Sequence, residues 1–116
     1  MCNRCKCQTL SASTSGRVVL YGQSAPDDCH NLVLQFNNIS QWLCYEDFLA
    51  LEWNVRSIDI KAFFEAHPHE DRIHLCTSLP YLNFSFRASE MQELKQLLGK
   101  AVARLHWHEM LKKSIN

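Results

Sequence analysis

Near the end of the chain, Met91, Leu94, Leu98, Ala101, Val102 and Leu105 recur at three- and four-residue intervals. That period puts them on one stripe of a helix, and such a helix is stable only where another layer covers the stripe. The rest of the chain must supply that layer. Ser89 followed by Gln92 has the spacing of a capping box, with Glu90 and Glu93 at the positive end of the helix. Lys112 and Lys113 suit its negative end.

The covering layer reads as strands. Residues 17–21 (RVVLY) form a β-branched run bounded by Gly16 and Gly22, and a turn follows over residues 24–28 (SAPDD). Residues 32–36 and 39–44 are two extended segments separated by Asn37 and Asn38, a pair suited to a tight hairpin turn. Alternation puts Leu32, Leu34 and Phe36 on one face. The period then changes: Phe48, Leu51 and Val55 share a helical face, with Glu46, Asp47 and Glu52 interleaved. Ser57 or Asp59 can cap a second helical segment carrying Ile60, Phe63 and Phe64, which Pro68 ends near His67. The two segments are either separate or one kinked helix. Residues 72–77 and 81–86 return to strand character, and the three residues between them are too few for a parallel crossover.

The order is β-β-β-α-β-β-α, which defines the α+β class. The expected architecture is an antiparallel sheet of four to five strands, covered by a long C-terminal helix and one or two central helices. Leu32, Leu34, Phe36, Phe84 and Phe86 should form the core facing the long helix. Residues 32–49 (LVLQFNNISQWLCYEDFL) resemble a family of small uncharacterised bacterial proteins. Its members share a cysteine-containing N-terminal region, a strand hairpin with Asn at its turn and an acidic-Phe helix start. The resemblance implies the fold and brings no activity with it.

At 116 residues, the chain is expected to be one domain burying roughly two-thirds of its unfolded surface. Residues 8–16 (QTLSASTSG) are small and polar, so residues 1–16 read as a flexible cysteine-containing N-terminal segment and residues 17–116 as a single α+β domain. Twelve basic residues balance twelve acidic ones, which disfavours nucleic acid as a partner. The N-terminus lacks the apolar stretch of a secretory signal, and no apolar run reaches the roughly 18 to 20 residues that cross a bilayer. Six cysteines without a signal sequence suggest thiols or metal ligands in the cytoplasm, with no membrane association.

Cys2, Cys5 and Cys7, with Cys29 and His30, offer sulfur and nitrogen for a tetrahedral zinc site, zinc being an optional cofactor. The bland alternative is a frayed, reduced terminus; a redox sensor would need a lowered thiol pKa, to which Arg4 and Lys6 could contribute. His67, His69 and His74, with Glu70 and Asp71, could bind metal or move protons, although a solvated loop explains them more simply. His74 and Cys76 share a strand face without a third group to orient them. The zinc-protease pattern is broken, because Lys112 stands where His108 would need a second histidine.

The remaining signal is an extra apolar face. Ala103, Trp107, Met110 and Leu111 recur off the core stripe, so Trp107, Met110 and Leu111 are expected to dock a protein partner or a second copy, giving a homodimer. The alternative is that Gly99 breaks the helix and folds this face inward. The sequence therefore reads as a small accessory or regulatory protein acting by protein–protein interaction more readily than as an enzyme. The alternative is a thiol- or metal-dependent sensor or enzyme using the N-terminal cysteines.

Overall fold

The computed structural model describes residues 7–22, 31–76 and 81–115, with side chains described as far as Trp107. In chain order the elements are β1 (Cys7–Ala12), β2 (Gly16–Tyr21), β3 (Leu32–Phe36), β4 (Ile39–Leu43), α1 (Tyr45–Arg56), α2 (Ile60–Ala66), β5 (Ile73–Cys76), β6 (Asn83–Phe86) and α3 (Ala88–Ile115). β1 to β4 form an antiparallel sheet in sequential order, and β5 and β6 form a separate antiparallel pair. The α+β class and the long C-terminal helix stand as the periodicity implied.

One boundary moves. Residues 8–16, expected as a flexible linker, instead supply most of β1 and its turn into β2, so the described sheet includes Cys7–Ala12. A bulge between Thr9 and Ser11 adds a residue to β1 and breaks the alternation that would mark it as a strand. It leaves both Leu10 and Ser11 buried. The polar side chains are satisfied by α3: Ser11 Oγ donates to the Leu97 carbonyl at 2.8 Å, and the turn residues Ser13 and Ser15 bond to Glu93.

The register fixes two sheet faces. Val18, Leu34 and Gln41 lie in one row, with Leu20, Leu32 and Leu43 beside them. This face meets Met91, Leu94, Leu97, Leu98, Ala101 and Leu105 of α3 in the core. Val19, Val33 and Trp42 form the central row of the opposite face, where Trp42 packs on Tyr21 at 5.1 Å between ring centroids. Gly16 pairs with Phe36 at so close an approach that a Cβ would stand 2.2 Å from the Gln35 carbonyl oxygen. Asn37 turns the β3–β4 hairpin with φ 53°, the left-handed region that asparagine tolerates.

Phe48 and Val55 of α1 are buried as their spacing implied, and so is Glu52, which lies on the same stripe. Its carboxylate meets Arg56 Nε at 3.2 Å, and that guanidinium also covers the Trp53 ring. α1 and α2 are separate helices, the second capped by Asp59, whose side chain accepts from the Ala62 amide at 3.0 Å. α3 starts a little earlier than the Ser89–Gln92 box suggested. Glu90 Oε1 accepts from the Arg87 amide at 2.8 Å, giving the carboxylate half of a capping box with Arg87 at the cap. Leu32, Leu34, Phe36 and Phe86 are buried core residues, while Phe84 packs against them half-buried.

Candidate functional site

α3 runs unbroken through Gly99, so it does not fold back onto the domain there. Its 28 residues span roughly 42 Å at 1.5 Å per residue. Leu105 is the last buried residue described along it, and Trp107, two positions further, is 57% exposed. Met110 and Leu111 belong to the same helix, but their side chains lie outside the described residues. Trp107 thus stands in water near the end of the core-facing stripe.

Of the expected metal ligands, Cys7 is exposed at the first position of β1, across from Tyr21. Cys2, Cys5, Cys29 and His30 lie outside the described residues. Among the described residues, no group of three or more His, Cys, Asp or Glu side chains is arranged to hold a metal ion. The histidines around Pro68 are spread apart in role. His67 stacks on Phe63 and its Nδ1 lies 3.0 Å from the Phe63 carbonyl, closing the end of α2, while His74 lies 3.9 Å from Glu70. His74 and Cys76 are both exposed on β5, opposite the face carrying buried Ile73.

A cleft of about 400 Å³ opens between β4, α1 and the β5–β6 hairpin. Leu51, Leu75 and Phe84 form its apolar part, and Asp47, Asn54 and Gln41 its polar part. The same apolar residues also line a small internal cavity of about 20 Å³ against Leu34, Phe36 and Leu94. A more open hollow of about 600 Å³ is bordered by Arg56, Lys61 and Lys95. Two of those cations are engaged: Arg56 with Glu52, and Lys95 with the Arg56 carbonyl at 3.2 Å.

The clearest electrostatic feature is at the far side of the sheet. Glu93 accepts hydrogen bonds from the Ser13 hydroxyl, from the Ser15 amide at 2.7 Å and from the Ser15 hydroxyl at 3.1 Å. The Ser13 bond and then the Ser15 amide hold the carboxyl below its ordinary pKa, more than offsetting the desolvation that acts the other way. This carboxylate ties the β1–β2 turn to α3. It is a structural clasp, and sequence reasoning placed Glu93 only as a helix-dipole charge.

These features define a small α+β protein with a helix-backed antiparallel sheet, an exposed Trp107 late in its long C-terminal helix and a cleft beside the sheet's β4 edge. It belongs to DUF6686, a family of unknown function whose pattern it matches over residues 1–115. Neither a curated protein nor a solved structure matches the chain. The expected kinship with an uncharacterised family of small proteins holds. Among the described residues, no helix is long and apolar enough to cross a membrane.

Proposed function

We propose that this is a small cytoplasmic accessory or regulatory protein that docks another protein through the C-terminal part of α3, with the exposed Trp107 as the anchor. The observation that carries the reading is the 57% exposure of Trp107, two positions past Leu105, the last buried residue among those described in an unbroken helix. Tryptophan is over-represented among the residues that dominate binding energy, because it desolvates a large area with few rotatable bonds. A partner with an apolar groove fits such a helix end. The test compares wild type with Trp107→Ala in a pull-down from native cell extract, followed by identification of the retained protein. The reading requires a partner held by wild type and lost by Trp107→Ala, with the unfolding midpoint unchanged. A destabilised variant, or one that still retains the partner, would sink it.

The second reading is a zinc-bound or redox-active cysteine region built from Cys2, Cys5, Cys7, Cys29 and His30. Its support is the exposed Cys7 thiol at the start of β1, with the nearby thiols Cys2 and Cys5 preceding it in sequence. Metal analysis of protein purified without an affinity tag decides it. Stoichiometric zinc that disappears in Cys5→Ser, Cys29→Ser protein favours this reading; metal retained in that variant removes the site.

A further inference from the structure

α1 carries a second stripe beside its buried one. Phe48, Glu52 and Val55 are buried, whereas Asp47, Ala50, Leu51 and Asn54 recur at three- and four-residue steps and line the cleft of about 400 Å³ between α1, β4 and the β5–β6 hairpin. Ala50, the smallest side chain on this stripe, fills least of that space. The floor is apolar: Leu51, Leu75 and Phe84 are half-buried there, and the same three side chains wall the adjoining internal cavity of about 20 Å³. The polar part is rich in acceptors. Asp47 Oδ2 accepts from the Cys44 thiol at 3.1 Å, which leaves Oδ1 open, and the side-chain amides of Gln41 and Asn54 have no partner among the described residues. β4 adds a backbone acceptor. A two-residue turn makes Phe36 and Ile39 a hydrogen-bonded pair, so alternation aims Gln41 and Leu43 at β3 and directs the Trp42 carbonyl out of the sheet, on the side where the cleft lies. Among the described lining residues there is no lysine, arginine or histidine, and Asp47 is the only carboxylate.

We propose that this cleft binds a small organic cation, a primary ammonium group on an apolar arm, with Asp47 as its counter-ion. Charge selects this ligand. An anion would face Asp47 with no cation to offset it, and a wholly apolar ligand would desolvate that carboxylate without giving it a partner. A metal ion would find no group of three ligating side chains among the described residues. An ammonium carries three donors and no acceptor, which matches Asp47 Oδ1 together with the carbonyl oxygens of Gln41, Asn54 and Trp42. Its apolar arm rests on Leu51, Leu75 and Phe84. The cleft volume of about 400 Å³ lies within the roughly 300 to 1,000 Å³ usual for small-molecule sites. The occupant is a free small molecule rather than a lysine of a partner protein, because β4, α1 and the hairpin wall the cleft on three sides. No residue of α3 lines it among those described, so the inference is independent of docking at Trp107.

The experiment is an amide NMR titration of isotope-labelled protein with phenylpropylammonium, and with phenylpropanol and phenylpropionate as its neutral and anionic counterparts. The ammonium should give saturable shifts at Asp47, Asn54 and Cys76, the alcohol should bind more weakly and the carboxylate more weakly still. Asp47→Asn should weaken the ammonium about tenfold, the lower end for one charge-assisted hydrogen bond, and leave the alcohol nearly unchanged. Ala50→Trp, at an exposed helix position, should block both while the spectrum remains that of a folded protein. Acetyl-lysine amide, which mimics a lysine of a partner protein, should bind more weakly than phenylpropylammonium. Absence of saturable shifts at the cleft residues overturns the proposal, as does a carboxylate that binds as tightly as the ammonium. So does a preference for the ammonium that survives in Asp47→Asn protein, ammonium binding that survives in folded Ala50→Trp protein, or tighter binding of acetyl-lysine amide.

Discussion

Glu93 does two things that a helix-dipole reading assigns to one. It lies in the first turns of α3, and it receives the hydroxyls of Ser13 and Ser15 together with the Ser15 amide. Its pKa is lowered in the folded protein, so the ionised clasp contributes stability that is fully present above the unfolded pKa of about 4.3. That contribution is lost as the pH falls through the lower, folded value. Urea midpoints measured from pH 6 downward should therefore decline more steeply in wild type than in Glu93→Gln, and the variant should be the less stable at neutral pH. Parallel pH profiles would show that the clasp is not coupled to folding. Phe84 gives a second residue-level expectation. It is half-buried against the core, so Phe84→Ala should cost about 3 kcal/mol, the lower end of the range for deleting a buried phenylalanine. Calorimetric or urea unfolding checks it, and a loss below 1 kcal/mol would mean that the hairpin face is loosely held. Both residues were visible in the sequence, but only Phe84 could be given its role there. Alternation exposes a strand face, whereas the partners of Glu93 lie about 80 residues away along the chain.

At the scale of elements, legibility followed regularity. The hairpin of β3 and β4 was readable because Asn37 and Asn38 fix its turn and Leu32, Leu34 and Phe36 alternate without interruption. β1 was not, because its bulge places Leu10 and Ser11 together in the buried layer and its hydroxyls resemble the composition of a linker. Those serines are polar in order to bond α3, and composition alone cannot separate that use from solvent exposure. The burial of Glu52 was missed for a related reason: it was read only as a charge interleaved with Phe48, Leu51 and Val55, although it lies four residues after Phe48 and three before Val55 on the buried stripe. The edge of β4 was half-legible, since its hydrogen-bond phase follows from the turn, but its position as an edge required the strand order. Gly99 resolves in the opposite direction, for the helix passes through it and a Cβ there would meet nothing within 4 Å. Gly99→Ala should accordingly raise stability by about 1 kcal/mol through helix propensity and a less flexible unfolded chain. A lower unfolding temperature for this variant would show that the glycine serves a contact made outside the monomer.

For the molecule as a whole, α3 is the element against which the others close. It packs against β1 and β2 on one side of the core, and against α1, α2 and β6 elsewhere. Leu98 lies at the centre of its buried stripe with no exposed surface, between Leu94 and Ala101. Removing its side chain leaves a cavity that several elements share, so Leu98→Ala should destabilise the fold by about 3 to 5 kcal/mol. The loss should also be global. A chain of this size with one core should unfold in a single transition, and the β1–β2 turn, tied to α3 through Glu93, has no separate core to fall back on. Far-ultraviolet circular dichroism reports helix loss, while tryptophan fluorescence reports Trp42 on β4, Trp53 on α1 and Trp107 on α3. In Leu98→Ala protein the two signals should shift to lower urea together and remain superimposable. If fluorescence moved while the helical signal kept its original midpoint, the sheet and α3 would be unfolding as separate units, and the account of α3 as the common packing surface would fail.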